Sequence, residues 1–342
     1  MGELKMKALR TAILGCGKIA RRHAEVLASL EEVRLVGFCD QAIENALSFN
    51  ELFGPAKVFT EHEQMFCDLN LDLVYICLPP YAHTNEVKLA CQHGVHFLIE
   101  KPIALSMDLA HQMTEDVYAS GVKCQVGFMY RHGEAVKWLK ETMRNSLTSG
   151  AGFMSARYSS NSLHRVWWRD KNKSGGQLVE QVIHLLDMAR FLMGDPCQVY
   201  SVQRNLFHTE IKDYTGEDTS VTTVNFDSGS IAVIAATNGA IPKRWDYDWR
   251  VVLPTITADF SDANHAVVHD TRQDWPSTLT VASEKDLFLA QTVDLLTAIR
   301  ENRMPAVPID EGVRSLNLAL SAVQSAQQGI PINLELPGRP RP

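Results

Sequence analysis

The sequence predicts an α/β protein with two domains: a parallel sheet with crossover helices, then an α+β domain with a largely antiparallel or mixed open sheet. Length is the first observation, because 342 residues correspond to two domains of about 150 residues each. Strand and helix patterns alternate over residues 8–126, which is typical of parallel strands joined by helices. Beyond residue 127, strand-like runs follow one another without alternating helices. We therefore expect domains over residues 1–127 and 128–342.

Composition and charge exclude several classes of protein. Hydrophobic residues make up 45% and charged residues 21%, values typical of a globular protein and not of a disordered or fibrous one. The formal net charge of −7 argues against a nucleic-acid binder, which needs a basic face. No apolar run approaches the ~20 residues that cross a bilayer, and no signal-peptide pattern opens the chain. We expect neither a nucleic-acid nor a membrane partner.

The seven cysteines are scattered without a C-x-x-C pair, several of them inside apolar strand-like runs. Small buried side chains explain them best, and the missing disulfide pattern predicts a reduced, cytoplasmic location. Cys91, His93 and His96 are close in sequence, but they straddle an expected helix end and strand start. We therefore predict no metal site there.

The first domain is expected to contain six strands and four helices. The segment 73–78 is almost wholly apolar, as a strand buried on both faces should be. The other strands are short apolar runs that lie between helical patterns. In chain order, we predict strands over 8–14, 33–39, 57–59, 73–78, 95–99 and 122–126, and helices over 18–30, 41–53, 81–93 and 106–119.

The turn between the first strand and the first helix carries a G-x-G-x-x-A pattern. Gly15 permits a tight turn, Gly17 lets a pyrophosphate approach the helix N-terminus, and Ala20 lets helix and strand pack closely. Asp40 ends the second strand, where a carboxylate binds an adenosine ribose diol. The predicted dinucleotide-binding residues of this region are Gly15, Cys16, Gly17, Lys18, Ile19 and Asp40.

Asp40 also bears on the choice of dinucleotide. A carboxylate at this position repels the 2′-phosphate of NADP. The next residue is Gln41, whereas an arginine would accommodate that phosphate. We therefore predict NAD as the cofactor in preference to NADP.

The second domain is expected to begin with a helix and to continue mainly as strands. The segments 221–227 and 230–236 flank Ser228-Gly229, which predicts a hairpin. A polar linker is expected over 145–152. In chain order, we predict helices over 133–144, 177–193, 284–300 and 310–328, and strands over 153–160, 199–206, 220–226, 230–237 and 250–253.

A polar stripe crosses the largely apolar helix expected over 177–193. At about 100° per residue, Glu180, His184 and Asp187 lie on one side of that helix. A buried polar stripe needs hydrogen-bonding partners or a wet cavity, so these residues are candidates for function. A single histidine would be structural more often, and a metal site built from these three residues is an alternative that lacks a second histidine.

Aromatic side chains are candidate ligand contacts, because their faces pack on apolar C–H surfaces. Trp168 and Arg169 lie in a polar loop before the Gly175-Gly176 pair, and the arginine can bind hydroxyls or a carboxylate. Trp245, Tyr247 and Trp249 alternate as one face of a strand would, which we interpret as sheet packing or a subunit interface. We expect a homodimer or homotetramer formed through the C-terminal sheet.

The strand over 95–99 runs directly into Glu100-Lys101-Pro102. Together with the turn over 15–20, this tripeptide resembles the Gfo/Idh/MocA family of sugar and cyclitol dehydrogenases. The resemblance implies that Lys101 reaches the reacting hydroxyl beside the nicotinamide. It also implies cofactor contacts from the segments around Glu100 and the Pro-rich loop, and substrate contacts from the segment that leads into the second domain. The residues so implied are Leu78, Pro79, His83, Glu100 and Lys101 for the cofactor, and Tyr130 and Arg131 for the substrate.

A second family motif lies in the stripe-bearing helix. The family carries a glycine pair, then an acidic residue, a histidine four residues later and an aspartate three residues after that. This sequence fits the pattern, with Glu180 where many members have aspartate. The resemblance implies that His184 is the catalytic base, that Glu180 binds substrate or the lysine, and that Asp187 orients His184 or a neighbouring chain.

These observations lead to the expectation of an NAD-dependent dehydrogenase that acts on a secondary hydroxyl held between Lys101 and His184. The small-molecule substrate would be a sugar, cyclitol or related polyol. Two alternatives share the fold: a glycosidase that uses transient oxidation by bound NAD, and a non-catalytic regulator that binds NAD(P).

Overall fold

The computed structural model describes residues 8–145, 152–272, 274–275 and 277–334 of the 342-residue chain. These residues divide into two compact units, one of residues 8–127 with Asp286–Val313 and one of the described residues within 128–285 and 314–334. The expected linker over 145–152 lies largely outside the described residues, as does the chain beyond residue 334.

The helices and strands are numbered here in chain order. The strands are β1 (Leu9–Leu14), β2 (Val33–Cys39), β3 (Lys57–Phe59), β4 (Leu73–Ile76), β5 (His96–Ile99), β6 (Cys124–Val126), β7 (Phe153–Ser159), β8 (Pro196–Arg204), β9 (Thr219–Phe226), β10 (Ile231–Thr237), β11 (Asp246–Val252), β12 (Ile256–Phe260), β13 (Ala266–Asp270), β14 (Ser277–Val281) and β15 (Ile332–Asn333). The helices are α1 (Lys18–Ala28), α2 (Ile43–Phe53), α3 (His62–Asp68), α4 (Glu86–Gln92), α5 (Met107–Ser120), α6 (Glu134–Asn145), α7 (Val166–Arg169), α8 (Lys171–Ser174), α9 (Ile183–Met193), α10 (Leu287–Arg300) and α11 (Ile309–Gln328).

The first unit contains a six-stranded sheet in the order β3-β2-β1-β4-β5-β6. All of its strand pairs are parallel, which confirms the predicted parallel sheet. From the centre of the sheet, β1, β2 and β3 follow one another outward on one side, and β4, β5 and β6 on the other. The strand order therefore changes direction between β1 and β4, at their carboxyl ends. Open α/β sheets bind their ligands at this edge.

The core of the first unit explains why Asp286–Val313 belongs to it. Leu295 and Leu296 of α10 are buried in the same hydrophobic cluster as Ala24 of α1 and Tyr75 of β4. Full burial of each such leucine contributes about 1.5–3 kcal/mol. All of 128–342 is predicted to lie in the second domain; the structure differs, because the leucines of this helix are buried in the core of the first unit.

The second unit contains a nine-stranded sheet in the order β14-β13-β12-β11-β7-β10-β9-β8-β15. The central pair β7 and β10 is parallel, and the other pairs are antiparallel, which confirms the predicted mixed sheet. The predicted hairpin is present as β9 and β10, with Gly229 at a φ of +80° in the turn.

Several local predictions differ from the structure, and α3 is not among the predicted helices. The helix expected over 81–93 is instead a 3-10 turn (Pro80–Ala82) followed by α4, because the Thr84 N–H bonds to the Glu86 side chain and not to a helical carbonyl. The helix expected over 177–193 begins as a π-helical turn (Leu178–Val182). Cys67 is exposed and Cys197 is partly exposed, whereas the other five cysteines are buried as predicted.

Among the described residues, no helix is both long and apolar enough to cross a membrane.

Candidate active site

The glycine turn after β1 leaves the start of α1 open. Gly15 has a φ of +86°, and a Cβ there would lie 2.6 Å from the carbonyl oxygen of Cys77. A Cβ on Gly17 would meet no atom within 4 Å, and no side chain among the described residues caps the helix at this position. Lys18 and Ile19 are exposed on the first turn. The uncapped backbone N–H groups and the open space beside Gly17 fit the pyrophosphate of a dinucleotide.

Asp40 lies directly after β2 and is bonded to the same glycine turn. Its Oδ2 accepts the Cys16 N–H at 2.8 Å, and its Oδ1 accepts the Ala42 N–H at 2.9 Å and Asn45 Nδ2 at 3.2 Å. Burial, and to a lesser extent the charge of Asp40, raises the pKa of the Cys16 thiol well above its usual value. The carboxylate is therefore fixed beside the turn, next to a cysteine that stays neutral.

The Pro-rich loop after β4 ends in a buried histidine–carboxylate pair. His83 Nδ1 lies 2.6 Å from Glu86 Oε1, and Glu86 Oε2 accepts the Thr84 N–H at 2.7 Å. Burial is the largest single effect and raises the pKa of Glu86, but the hydrogen bond from His83, the charge of that histidine and the backbone N–H donors together lower it, and the net shift is downward. A carboxylate at Nδ1 places the proton there. His83 Nε2 is then a buried acceptor that has no partner among the described residues. Leu78 and Pro79 are partly exposed at the start of the loop.

Lys101 follows β5 at the edge where this sheet would bind a ligand. Its side chain is partly exposed, and its peptide bond to Pro102 is cis. The preceding Glu100 is buried, and both of its carboxylate oxygens bond within the protein. Oε1 lies 2.7 Å from His23 Nε2, and Oε2 accepts the Lys101 N–H at 3.2 Å. The family resemblance implies that Glu100 contacts the cofactor. In the structure, its carboxylate binds His23 and the backbone N–H of Lys101.

In the second unit, a buried carboxylate requires glycine at position 176. Gly176 has a φ of +93°, and a Cβ there would lie 2.4 Å from Glu217 Oε2. Glu217 Oε1 accepts the Leu178 N–H at 2.8 Å, so this carboxylate binds the start of the π-helical turn. π-Helical turns inside α-helices occur frequently at functional sites. Glu180 and His184 lie on either side of the change from π to α geometry.

Glu180 is held by an aromatic side chain from the preceding loop. Trp168 Nε1 donates to Glu180 Oε2 at 2.7 Å. The ring of Trp168 packs on His164, with centroids 4.1 Å apart, and Gln181 Nε2 lies 3.1 Å from His164 Nε2. His164 has a φ of +50°, which is rare for a non-glycine residue and is found often at functional sites. A carboxylate, an indole and an imidazole are thus brought together.

His184 lies against a stack of aromatic rings. Its centroid is 4.9 Å from that of Tyr130 and 6.0 Å from that of Phe128. Tyr130 stacks in turn on Tyr247, at 5.2 Å and 20°, and on Trp249, at 6.2 Å. Burial, together with the neighbouring Tyr247, raises the pKa of the Tyr130 hydroxyl well above its usual value. The phenol next to His184 is therefore neutral.

Two family profiles match successive parts of the chain. Residues 9–128 match an oxidoreductase family described by its NAD-binding Rossmann fold. Residues 154–334 match the C-terminal alpha/beta domain of the same family.

The protein belongs to the Gfo/Idh/MocA oxidoreductase family.

Several proteins are similar to this chain over nearly its full length. An uncharacterized oxidoreductase of Bacillus subtilis (YrbE) is 24% identical over 96% of this chain and 97% of its own length. The myo-inositol 2-dehydrogenase of Thermotoga maritima is 25% identical over 96% of this chain and 99% of its own. A levoglucosan dehydrogenase, solved in complex with NADH and levoglucosan, superposes with a TM-score of 0.88 at 18% identity, over 96% and 99% of the two chains.

The family resemblance implies that Arg131 contacts substrate, but in this Gfo/Idh/MocA member its guanidinium binds a buried aspartate. Its Nε and Nη2 donate to the two carboxylate oxygens of Asp187 at 2.8 and 2.6 Å, and all these groups are buried. Ser315 Oγ donates to Asp187 Oδ1 at 2.7 Å and accepts from Arg190 Nη1 at 2.7 Å. Asp187 therefore orients a neighbouring segment of the chain.

Arg169 also binds protein groups. Its Nε donates to the Leu163 carbonyl at 2.7 Å, and its Nη1 bonds Asp213 at 2.9 Å, so it fixes the loop that carries Trp168. The position of His164 relative to the site does not follow from the sequence, and Tyr247 is predicted to take part in sheet packing or a subunit interface. The alternation of Tyr247 with Trp249 was the available signal for the aromatic stack, but it does not say which face of the sheet the rings occupy.

Within the described residues, no three His, Cys, Asp or Glu side chains are grouped closely enough to hold a metal ion. The alternative metal site of Glu180, His184 and Asp187 is therefore not supported. Arg131 binds both carboxylate oxygens of Asp187, which leaves that residue unsuited to hold a metal.

Proposed function

We propose that this protein is an NAD-dependent dehydrogenase that oxidises a secondary hydroxyl of a cyclitol, sugar or related polyol, or reduces the corresponding ketone. The proposal is carried by two contacts on one helical segment. The Glu180 carboxylate accepts a hydrogen bond from the Trp168 indole, and the His184 ring lies against the ring of Tyr130. Carboxylates bind hydroxyls, and aromatic faces contact the C–H faces of a ring. The relatives named for myo-inositol and levoglucosan support this class, because both compounds carry secondary hydroxyls on a ring.

The chain's own groups supply the proton and charge chemistry. His184, in its neutral form, takes the hydroxyl proton as the general base, and returns it when a ketone is reduced. The Lys101 ammonium stabilises the developing alkoxide and positions its oxygen. The bound nicotinamide supplies the hydride chemistry. Glu180, held by Trp168, binds neighbouring hydroxyls of the ring and so selects polyols over simple alcohols.

The first unit holds the dinucleotide. The open N-terminus of α1 beside Gly17 takes the pyrophosphate, and the fixed carboxylate of Asp40 takes the adenosine ribose diol. His83 Nε2, a buried acceptor, suits an amide N–H of the nicotinamide end. Because Asp40 would repel a 2′-phosphate, NAD is the cofactor in preference to NADP.

The assembly is a homodimer or homotetramer formed through the open face of the nine-stranded sheet. Phe153, Val202, Val221 and Ile231 are 41, 41, 48 and 45% exposed, and the register of their strands places them on one face. A row of exposed apolar residues on a sheet is typical of a protein–protein interface. Light scattering tests this: Ile231→Lys should lower the measured mass to that of the monomer, and a wild-type monomer would overturn it.

The function is tested by incubating the purified protein with NAD and a panel of cyclitols, anhydrosugars and aldoses while NADH is followed by its absorbance. At least one polyol should yield NADH and a ketone in equal amounts. His184→Asn should reduce kcat by about 10²–10⁴-fold, the usual loss of a general base, with an unchanged Kd for NAD. Substrate cleavage without net NADH would favour the transient-oxidation glycosidase, and NAD binding with no turnover of any polyol would favour a regulator.

A further inference from the structure

A buried histidine on α1 is bonded to the residue that precedes the proposed alkoxide-stabilising lysine. We propose that His23 and Glu100 form a positioning pair, which fixes the backbone of Lys101 to the helix whose N-terminus receives the dinucleotide. The inference rests on the proposed function of Lys101. It assigns to His23 a role that the glycine-turn motif and the Glu-Lys-Pro motif do not give it.

The contacts join two segments that are far apart in sequence. His23 is fully buried, and its Nε2 lies 2.7 Å from Glu100 Oε1. The other carboxylate oxygen, Oε2, accepts the Lys101 N–H at 3.2 Å. Glu100 itself is tied to the sheet, because its N–H donates to the Ile76 carbonyl at 2.9 Å. One carboxylate thus connects α1 with the first peptide group of the lysine.

The surroundings of His23 favour one tautomer of its ring. Its ring lies edge-on to Tyr75 and to Phe288, each with centroids 5.1 Å away. Its Nδ1 has no hydrogen-bond partner among the described residues. A proton on Nδ1 would be buried without an acceptor, so the single proton sits on Nε2 and is donated to the carboxylate. His23 therefore acts as a fixed hydrogen-bond donor.

The carboxylate is also confined by the end of β6. A Cβ on Gly127 would lie 2.9 Å from the Oε1, Oε2 and Cδ atoms of Glu100. Gly127 is itself held to β5, since its N–H donates to the Ile99 carbonyl at 2.9 Å. Histidine, sheet and glycine backbone leave Glu100 a single position. Lys101 starts from that position, and a displacement of about 1 Å in a reacting group can cost about 10²-fold in rate.

Four proteins test the proposal: wild type, His23→Gln, His23→Leu and the double variant His23→Leu/Glu100→Met. Glutamine keeps an N–H donor of similar reach, leucine removes it, and the double variant removes the donor and the buried charge together. Four quantities are measured on each: thermal stability, kcat, Kd for NAD, and the rate at which an amine-reactive reagent modifies Lys101, followed by mass spectrometry. Lys57, exposed on β3, is the internal reference for reagent activity.

A positioning role predicts a separation of stability from activity. His23→Leu should be less stable and should lose about 10²-fold in kcat, with an altered Lys101 modification rate and a nearly unchanged Kd for NAD. His23→Gln should recover most of the kcat and the wild-type modification rate. The double variant should regain stability, because no unpaired carboxylate remains buried, but not kcat. If it regains kcat with stability, or if folded His23→Leu keeps wild-type Lys101 reactivity, the pair is structural only.

The modification rate also separates this inference from the proposed function. It is measured without substrate, so it reports the position of Lys101 even if no polyol is oxidised. Absence of polyol turnover in the wild type would overturn the function, and the Lys101 reactivity of the four proteins would still decide the positioning role.

Discussion

The indole of Trp168 donates a hydrogen bond to the Glu180 carboxylate across 2.7 Å. Trp168 is buried, and its ring is packed between His164 and Tyr214, at 4.1 and 5.9 Å. Glutamate has one more rotatable bond than aspartate, so a carboxylate at this position needs a partner to hold it. The tryptophan supplies that partner, and it makes the longer side chain a defined part of the site.

Trp168→Phe should therefore weaken the use of polyols more than the binding of cofactor. Phenylalanine fills most of the space but removes the donor to a charged acceptor, a contact worth about 1.5–3 kcal/mol. We expect kcat/KM for the polyol to fall by about tenfold or more, mainly through KM, with an unchanged Kd for NAD. Trp275→Phe is the matched control, because Trp275 is 89% exposed. Equal effects of the two substitutions would contradict the assignment.

Arg131 should matter first to stability, because its guanidinium is bidentate to buried Asp187. Arg131→Leu leaves that carboxylate with less compensation, and loss of one partner of a buried pair costs about 3–5 kcal/mol. Urea unfolding measures the change in free energy. Arg21→Leu is the control, since the Arg21–Glu25 pair is exposed and should be worth about 0.5 kcal/mol or less. A similar loss in both variants would show that burial of the pair does not set its contribution.

Asp40→Ala should reduce the preference for NAD over NADP. The substitution removes the ribose contact and the repulsion of a 2′-phosphate together. It also frees the Cys16 N–H, so we expect weaker NAD binding by about tenfold, the loss of roughly one charged hydrogen bond. Calorimetric titration of both dinucleotides checks this. Asn45→Ala, which removes a neighbour of the same carboxylate but keeps its charge, should retain the preference; tighter binding of NADP by the wild type would refute the assignment.

His96 should make the protein less stable in mild acid. Burial, with nearby Lys123 as a second cause, lowers the pKa of His96 below its usual 6.5. The folded state then binds fewer protons than the unfolded state, so this contribution to stability is present above about pH 6.5 and is lost as the pH falls below it. Denaturant unfolding at several pH values measures the slope. His96→Asn keeps an acceptor for the Lys123 N–H without titrating, and its slope should be shallower; an identical slope would place the titration elsewhere.

The sequence was sufficient for the parts of the fold that depend on local patterns. The bounds of β2 and β3 agree residue for residue with prediction, because each is a short apolar run between turns. Strands β12, β13 and β14 are not predicted. Ser277–Val281 is almost entirely exposed at the sheet edge, so it carries no alternation between buried and exposed positions.

The candidate site was predictable only where a residue is identified by its position after a strand or in a motif. Lys101, Asp40 and His184 belong to this group. Their partners come from distant parts of the chain: His23 is 77 residues from Glu100, and Arg131 is 56 residues from Asp187. No local periodicity encodes such a pair. The family resemblance therefore implies that Arg131 contacts substrate, whereas in the structure its guanidinium donates to a buried aspartate.

In the proposed reaction, a hydride passes directly from a secondary carbinol carbon of a polyol to NAD. The most direct test uses a polyol that the wild type oxidises, deuterated at the ring carbons, with the NADH isolated and its nicotinamide analysed by mass spectrometry. Each NADH formed should carry one deuterium, and the product should be a ketone at the carbon that lost it. NADH without deuterium, or deuterium exchanged into water with no net NADH, would contradict it.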